Sequence, residues 1–98
     1  MEFNNLKPEE LEKASNILKA IAHPMRISIL SLLDKEKELT VTQIHNSLNI
    51  EQSTTSHHLG ILKDKGVLIS KRNGKNTLYK LKHESLNHII GCVSKCVV

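Results

Sequence analysis

The feature that most constrains the fold of this chain is a change in hydrophobic periodicity at Gly66. Before Gly66, apolar residues recur three and four positions apart, which predicts helices that each bury one face. After it, the segments 67–72 and 77–81 are rich in β-branched and long apolar residues. They flank Asn73-Gly74, a dipeptide that readily adopts the positive φ of a tight hairpin turn. The chain is therefore predicted to be mainly α with a small β-hairpin.

Two prolines mark the first two predicted helices. Pro8 and Pro24 fit first helical turns, where proline loses no needed N–H group. Apolar residues then recur at helical spacing to about Ala20 in the first helix, and to a charged turn at 34–37 in the second.

The next two predicted helices are short and joined by a tight turn. Thr40 and Gln43 form a capping-box pattern at the start of the third helix. Only residues 50–52 separate it from a fourth helix, roughly 53–65, and this arrangement is typical of a helix-turn-helix motif. A hairpin that follows such a motif is called a wing. The pattern predicts a winged helix-turn-helix with five helices, the last over about 84–96, and a two-stranded wing.

Length and composition fit one domain. The chain has 98 residues, 39% hydrophobic and 24% charged, with no repeat or Pro/Gly-rich linker, so we expect a single domain over 1–98. Residues 1–5 carry no signal-peptide pattern, and no apolar run approaches the roughly 20 residues of a membrane helix. We therefore expect a cytoplasmic protein that does not bind a membrane. A chain this short buries a modest fraction of its surface, which favours pairing with a second copy.

The whole chain has a net charge of +4, and its basic residues are concentrated in the second half. Between 63 and 82 there is one acid, Asp64, and the basic residues are Lys63, Lys65, Lys71, Arg72, Lys75, Lys80 and Lys82. Such a cluster suits binding to phosphates, although by itself it is as typical of a solvated surface. The motif around it decides between these interpretations.

The fourth predicted helix has two different faces. A rotation of about 100° per residue puts Thr55, Leu59 and Leu62 on one side and leaves the opposite side free to face a ligand. Gly60 on that free side lowers helix stability, which a close approach to a DNA backbone would explain. The N-terminal turns present short polar side chains of the kind that contact base edges or phosphates in the major groove: Ser53, Thr54, Ser56 and His57.

The basic residues of the hairpin supply the second part of a DNA-binding surface. Lys71, Arg72 and Lys75 surround the predicted turn, where they reach phosphates or a narrow minor groove, and Lys63 lies near the end of the fourth helix. Single-stranded RNA is a poorer partner, because aromatic residues for base stacking make up 2% of the chain. No nucleophile motif or glycine-rich phosphate loop is present, which argues against an enzyme.

Three stretches of the sequence resemble the ArsR/SmtB family of winged-helix repressors of bacteria and archaea. They are residues 18–26 (LKAIAHPMR), 38–44 (ELTVTQI) and 52–59 (QSTTSHHL), and the resemblance continues to Leu81. It implies a homodimer held by its first and last helices, two recognition helices on a palindromic operator of double-stranded DNA, and release of the DNA when an inducer binds.

Two alternatives stay open beside this interpretation. One is a winged-helix module that docks a protein partner without specific DNA binding. The other concerns the last helix, whose apolar stripe either forms a subunit interface or packs within one subunit. For the interface we predict Leu11, Leu18, Leu86, Ile89, Ile90 and Val93.

The resemblance does not identify the inducer. Metal-sensing relatives often carry cysteines in the third helix, where this chain has Thr40 and Thr42, and the metal positions that others use near the C-terminus are incomplete here. We therefore expect no cofactor, with a metal or metalloid inducer as the alternative. Cys92 and Cys96 lie one helical turn apart and either form a thiol sensor or pack as small buried side chains near a dimer interface.

Overall fold

The structure is a computed structural model that describes residues 5–97. Its elements are, in chain order, α1 (Pro8–Ile21), α2 (Pro24–Glu36), β1 (Leu39–Thr40), α3 (Val41–Leu48), α4 (Gln52–Asp64), β2 (Leu68–Asn73), β3 (Asn76–Leu81) and α5 (Leu86–Val97). The five predicted helices and the hairpin are confirmed. The domain predicted over 1–98 also includes residues 1–4 and 98, which lie outside the described residues. None of the helices within 5–97 is both long enough and apolar enough to cross a membrane.

The corner between α1 and α2 is built from local signals. His23 is the N-cap of α2 and its Nδ1 atom accepts a hydrogen bond from the backbone N–H of Met25 at 3.2 Å. Pro24 follows in the first turn, where its missing N–H has no intrahelical partner to lose. The helices therefore begin where the prolines predict.

The helix-turn-helix also follows its capping residues. The Thr40 hydroxyl accepts from the N–H of Gln43 at 3.1 Å, and the Gln43 side chain accepts from the N–H of Thr40 at 2.9 Å, which completes the predicted capping box. Asn49 ends α3 in the left-handed conformation, with φ of 55°. Gly66 follows α4 with φ of 78°, a conformation that favours glycine.

The wing differs from the prediction in its strands and in its turn. The sheet has three strands in the order β1-β3-β2, because Leu39 and Thr40 pair with Tyr79 and Leu78 of β3. The hairpin itself pairs Asn73 with Asn76, so its two central turn residues are Gly74 and Lys75 rather than Asn73 and Gly74. Gly74 has φ of 65° whereas Lys75 does not have positive φ, which is the pattern of a type II′ turn.

The core lies where the helix-turn-helix meets the sheet. Its fully buried side chains come from α2, α3, α4 and the start of the hairpin: Ile29, Leu30, Leu33, Ile44, Thr55, Leu59, Leu62, Val67 and Leu68. Burying each large aliphatic side chain contributes about 1.5–3 kcal/mol, so this cluster is the main source of stability in the single chain. Leu86, the first residue of α5, is also buried in it.

The last helix starts two residues later than predicted. Glu84 and Ser85 form a turn in which the N–H groups of Leu86, Asn87 and His88 each donate to a carbonyl three residues back. Helical hydrogen bonding begins only once Leu86 is anchored in the core.

Candidate nucleic-acid interface

Helix α4 presents one buried face and one exposed face. Thr55, Leu59 and Leu62 are fully buried, as predicted, and α4 packs against α3 and β2. The Thr55 hydroxyl donates to the carbonyl of Glu51 at 2.9 Å, so its polar atom has a partner in the interior. The predicted DNA-contacting residues of its first turns are all exposed: Ser53, Thr54, Ser56 and His57.

The exposed face continues along α4 past Gly60 to Lys63. These residues lie four and seven positions after Ser56, which places them on the same side of the helix. Apart from its chain neighbours and the nearby backbone of α4, no atom lies within 4 Å of the position that a Cβ atom at Gly60 would occupy. Packing within the chain therefore does not require glycine here, and the exposed face includes a strip of backbone that a ligand can approach closely.

His58 joins α4 to the corner between α1 and α2. Arg26 Nε donates to His58 Nδ1 at 3.2 Å, and Arg26 Nη1 donates to the carbonyl oxygen of Ala20 at 3.1 Å. The ring centroids of His23 and His58 are 4.8 Å apart. His58 is buried, and the sequence gives no sign that Arg26 is its partner.

The wing separates the predicted cluster of cations. Side chains alternate along β2, so Arg72 lies on the same face as the buried Leu68, whereas Lys71 lies on the opposite face. Arg72 and Lys75 are exposed at the end of the hairpin, where they were predicted to bind phosphates. Lys71, Arg72 and Lys75 therefore do not form one group around the turn, as was predicted, because Lys71 lies on the other face of β2 from Arg72.

Lys71 is engaged within the chain. Its Nζ atom lies 3.0 Å from Oε1 of Glu38, which immediately precedes β1. Strand β1 brings Glu38 close to Lys71. Thr40 of β1 pairs with Leu78 of β3, and Leu78 also pairs with Lys71 of β2. The sequence did not predict this ion pair because the pair depends on the pairing of β1 with β3. A strand of two residues is too short to show the alternating pattern that predicts a strand.

We expect Arg72→Ala and Lys75→Ala each to weaken binding to a duplex of random sequence and to lower the slope of log affinity against log salt by about 0.9 per lost phosphate contact. Lys71→Ala should have a smaller effect, because Glu38 already neutralises that cation. Glu38→Gln should raise affinity by freeing Lys71. Fluorescence anisotropy over a salt series measures these slopes, with Lys13→Ala on the exposed side of α1 as control. Unchanged slopes for both Arg72→Ala and Lys75→Ala would show that the wing does not contact DNA.

The residues predicted for the dimer interface fall into two groups. Leu11, Leu18 and Val93 are 43%, 49% and 47% exposed, unusually high for large apolar side chains. Leu86 is instead buried in the core, while Ile89 and Ile90 are half-buried against it. For Leu86 the alternative of packing within one subunit therefore holds, and little of its surface is left for a partner.

A groove lies between α1 and α5, the two helices that carry the predicted interface residues. It has a volume of about 370 Å³ and includes Ala14, Ile17, Leu18 and Ile89 in its lining. Leu18 also borders an apolar surface that runs along α1 to Leu11. The two helices thus share one continuous apolar surface.

Both cysteines are exposed on α5. Packing of Cys92 and Cys96 near a dimer interface and their role as a thiol sensor both stay predictions. Within residues 5–97, no three His, Cys, Asp or Glu side chains converge in a way that could hold a metal ion.

Comparison with known proteins identifies the family. Residues 23–70 match the family model described as "Bacterial regulatory protein, arsR family". The chain is 41% identical over 80 residues to the transcriptional repressor PagR of Bacillus anthracis, and the match covers 82% of this chain and 80% of PagR. The chain belongs to the ArsR family. This is a family of transcriptional regulators rather than enzymes.

Other similarities agree with this ArsR-family assignment. The HTH-type transcriptional regulator YgaV of Escherichia coli (strain K12) is 34% identical over 79 residues, which cover 81% of this chain and 80% of YgaV. The crystal structure of PagR superposes with a TM-score of 0.82 at 38% identity, covering 89% of this chain and 99% of that of PagR. The homodimeric winged helix-turn-helix DNA-binding domain Mb0332 of Mycobacterium bovis also superposes with a TM-score of 0.82. It is 25% identical, and the match covers 99% of this chain and 89% of the Mb0332 chain. The fold of this ArsR-family regulator is thus the winged helix-turn-helix that the sequence predicted.

Proposed function

We propose that this ArsR-family regulator is a repressor that binds a palindromic operator as a homodimer, with α4 in the major groove and the wing on adjacent phosphates. The observation that carries the proposal is the contrast between the two faces of α4. Thr55, Leu59 and Leu62 hold the helix in the core, while small polar side chains and the bare backbone at Gly60 face outward. This combination lets a rigid helix enter a groove and contact base edges.

A homodimer is supported by the apolar surface of α1 and α5. Leu11, Leu18 and Val93 would be buried by a second copy, and the groove beside Leu18 would be filled. A symmetric pair presents two copies of α4, which matches the symmetry of a palindromic operator. The similar domain Mb0332 is homodimeric, which favours the same assembly here.

Release by an inducer completes the proposal. An inducer acts by binding more tightly to a form of the dimer in which the two α4 helices are wrongly spaced for the operator. Cys92 and Cys96 are accessible on α5, next to the proposed dimer interface, so a thiol-directed inducer has a site to react with. A regulator of this kind would work in the cytoplasm, where the chromosomal DNA is.

The test begins with a duplex selected from a random-sequence library by the wild-type protein, called the selected duplex below. We expect Ser56→Ala and His57→Ala to lower affinity for the selected duplex by about 1–3 kcal/mol, if each removes a contact to a base edge, and to change affinity for a random duplex much less. Fluorescence anisotropy with both duplexes gives the ratio of affinities. Wild-type ratios for both variants would show that α4 does not read the sequence.

A pair of glycine variants provides a matched control in the same assay. Gly60→Ala and Gly91→Ala each add a methyl group on an exposed side of a helix, where no atom outside the neighbouring residues and backbone of that helix lies within 4 Å. Each should stabilise its helix by roughly 0.5–1 kcal/mol. Gly60→Ala should nevertheless weaken binding to both duplexes, because its methyl group would lie where the DNA backbone approaches, whereas Gly91→Ala should bind as wild type.

A further inference from the structure

A polar link joins α4 to the α1–α2 corner in addition to the apolar contacts of the core. Arg26 uses two donors at once, Nε toward His58 and Nη1 toward the carbonyl of Ala20. We propose that Arg26 is a positioning residue for DNA binding, which acts through His58 to fix the angle between α4 and the corner. The inference rests on the proposed function of α4 as the helix that reads the DNA sequence.

The link connects two functionally distinct parts of the molecule. His58 lies directly next to His57 on α4, with the ring centroids 5.7 Å apart, so a small rotation of α4 around His58 displaces the exposed residues. At the other end, Ala20 lies in the last turn of α1, where carbonyl groups lack partners within the helix. Arg26 satisfies one of these carbonyls and brings a cation to the negative end of the α1 dipole. The guanidinium thus ties the proposed dimerisation helix to the proposed recognition helix.

The geometry of the link requires a neutral His58. Because Nδ1 accepts from Arg26 Nε, the ring proton of neutral His58 belongs on Nε2, and a second proton would have to occupy Nδ1. Protonation therefore removes the acceptor and creates a cation beside Arg26. Burial lowers the pKa of His58 below its ordinary value of 6.5, and the neighbouring His23, Arg26 and His57 lower it further.

The direction of the pH dependence follows from this lowered pKa. In the folded protein His58 stays neutral at pH values where the unfolded chain already binds a proton. The link and its contribution to stability are therefore complete above about pH 6.5 and are lost as the pH falls through the lower, folded pKa. We expect specific DNA binding to weaken in the same range.

The first test removes the donor. Arg26→Lys keeps the charge but lacks the planar fork that serves His58 and Ala20 together, and Arg26→Ala removes both. At about pH 8, each should lower the ratio of affinity for the selected duplex over a random duplex by roughly tenfold, a typical size for coupling between sites. Lys35→Ala, which removes a cation from the exposed end of the same helix, should leave the ratio unchanged.

The second test separates positioning from packing. In His58→Asn the side-chain oxygen can take the place of Nδ1 as acceptor, but it does not titrate. We expect this variant to keep the wild-type ratio at about pH 8 and to hold it as the pH is lowered below 6.5, whereas the wild-type ratio should fall as His58 takes up a proton. His23→Asn should keep a pH dependence but move it to higher pH, because the imidazole of His23 no longer lowers the pKa of His58. Circular dichroism in each buffer confirms that the compared proteins are folded.

The outcomes distinguish this inference from the proposed function. If Ser56→Ala or His57→Ala lowers the ratio while Arg26→Lys and Arg26→Ala do not, α4 reads DNA but Arg26 does not position it. If none of these variants changes the ratio, α4 does not read DNA, and both proposals are wrong. A pH dependence that persists unchanged in His58→Asn would also overturn the role of the link.

Discussion

Leu18→Glu should convert the protein from a dimer to a monomer and lower its affinity for the selected duplex by about a hundredfold or more, because two linked half-sites are replaced by one. Leu18 is 49% exposed in the single chain and borders both the groove against α5 and the apolar surface of α1. A carboxylate placed there would be desolvated without a partner when two copies associate, and an unpaired buried charge costs about 3–5 kcal/mol. The single chain should still fold, since half of this side chain is already in water.

Sedimentation velocity measures the association state, and anisotropy measures DNA affinity. Val93→Glu repeats the test on α5, where the side chain is 47% exposed. Asn16→Glu adds the same charge to the opposite, exposed side of α1 and should behave as wild type. A wild-type protein that is monomeric at about 10 µM, or a Leu18→Glu variant that stays dimeric, would contradict the proposed interface.

The choice of Leu18 and Val93 depends on the structure rather than on the sequence pattern. Periodicity placed Leu86, Ile89 and Ile90 in the same stripe, yet Leu86 is buried in the core and the other two pack against it. A charge at any of these three would destabilise the single chain as well as an interface. An apolar stripe on a helix shows which face is apolar but not which neighbour covers it.

The parts of the fold that the sequence predicted well are those that depend on neighbouring residues. The capping box of Thr40 and Gln43, the left-handed residue Asn49 and the glycine after α4 all act within one helical turn. The pairing of β1 with β3 joins residues about forty positions apart, and a strand of two residues is too short to show alternation. Strand β1 was therefore not predicted.

The same distinction applies to the candidate site. The exposed side chains of α4 follow from the rotation of a single helix, and the structure places them where they were predicted. The partners of charged residues do not follow in this way. Arg26 and His58 are 32 positions apart, and Glu38 and Lys71 meet only because the sheet brings β1 beside the hairpin. The alternation along β2 was available in the sequence, and it would have separated Lys71 from Arg72.

Leu59→Ala should lower the free energy of unfolding by about 2–5 kcal/mol, the range found when a large aliphatic side chain is deleted from a packed core. Leu59 is fully buried on the face of α4 opposite the proposed DNA contacts. Most single domains have a total stability of about 5–15 kcal/mol, so this loss should lower the melting temperature by on the order of 10 °C or more. Ile61→Ala, on the same helix but only half-buried, should cost less.

Urea unfolding at one fixed protein concentration measures the difference, and repeating it with the selected duplex connects it to function. A duplex at about a hundred times its dissociation constant stabilises the protein it binds by roughly 2.7 kcal/mol. The Leu59→Ala variant keeps all exposed side chains of α4, so it should still bind the selected duplex. Bound DNA should therefore offset much of the free energy of unfolding that the substitution removes. If Leu59→Ala costs no more than Ile61→Ala, the buried face of α4 does not anchor the helix. The exposed face would then lack the rigid support that reading a groove requires.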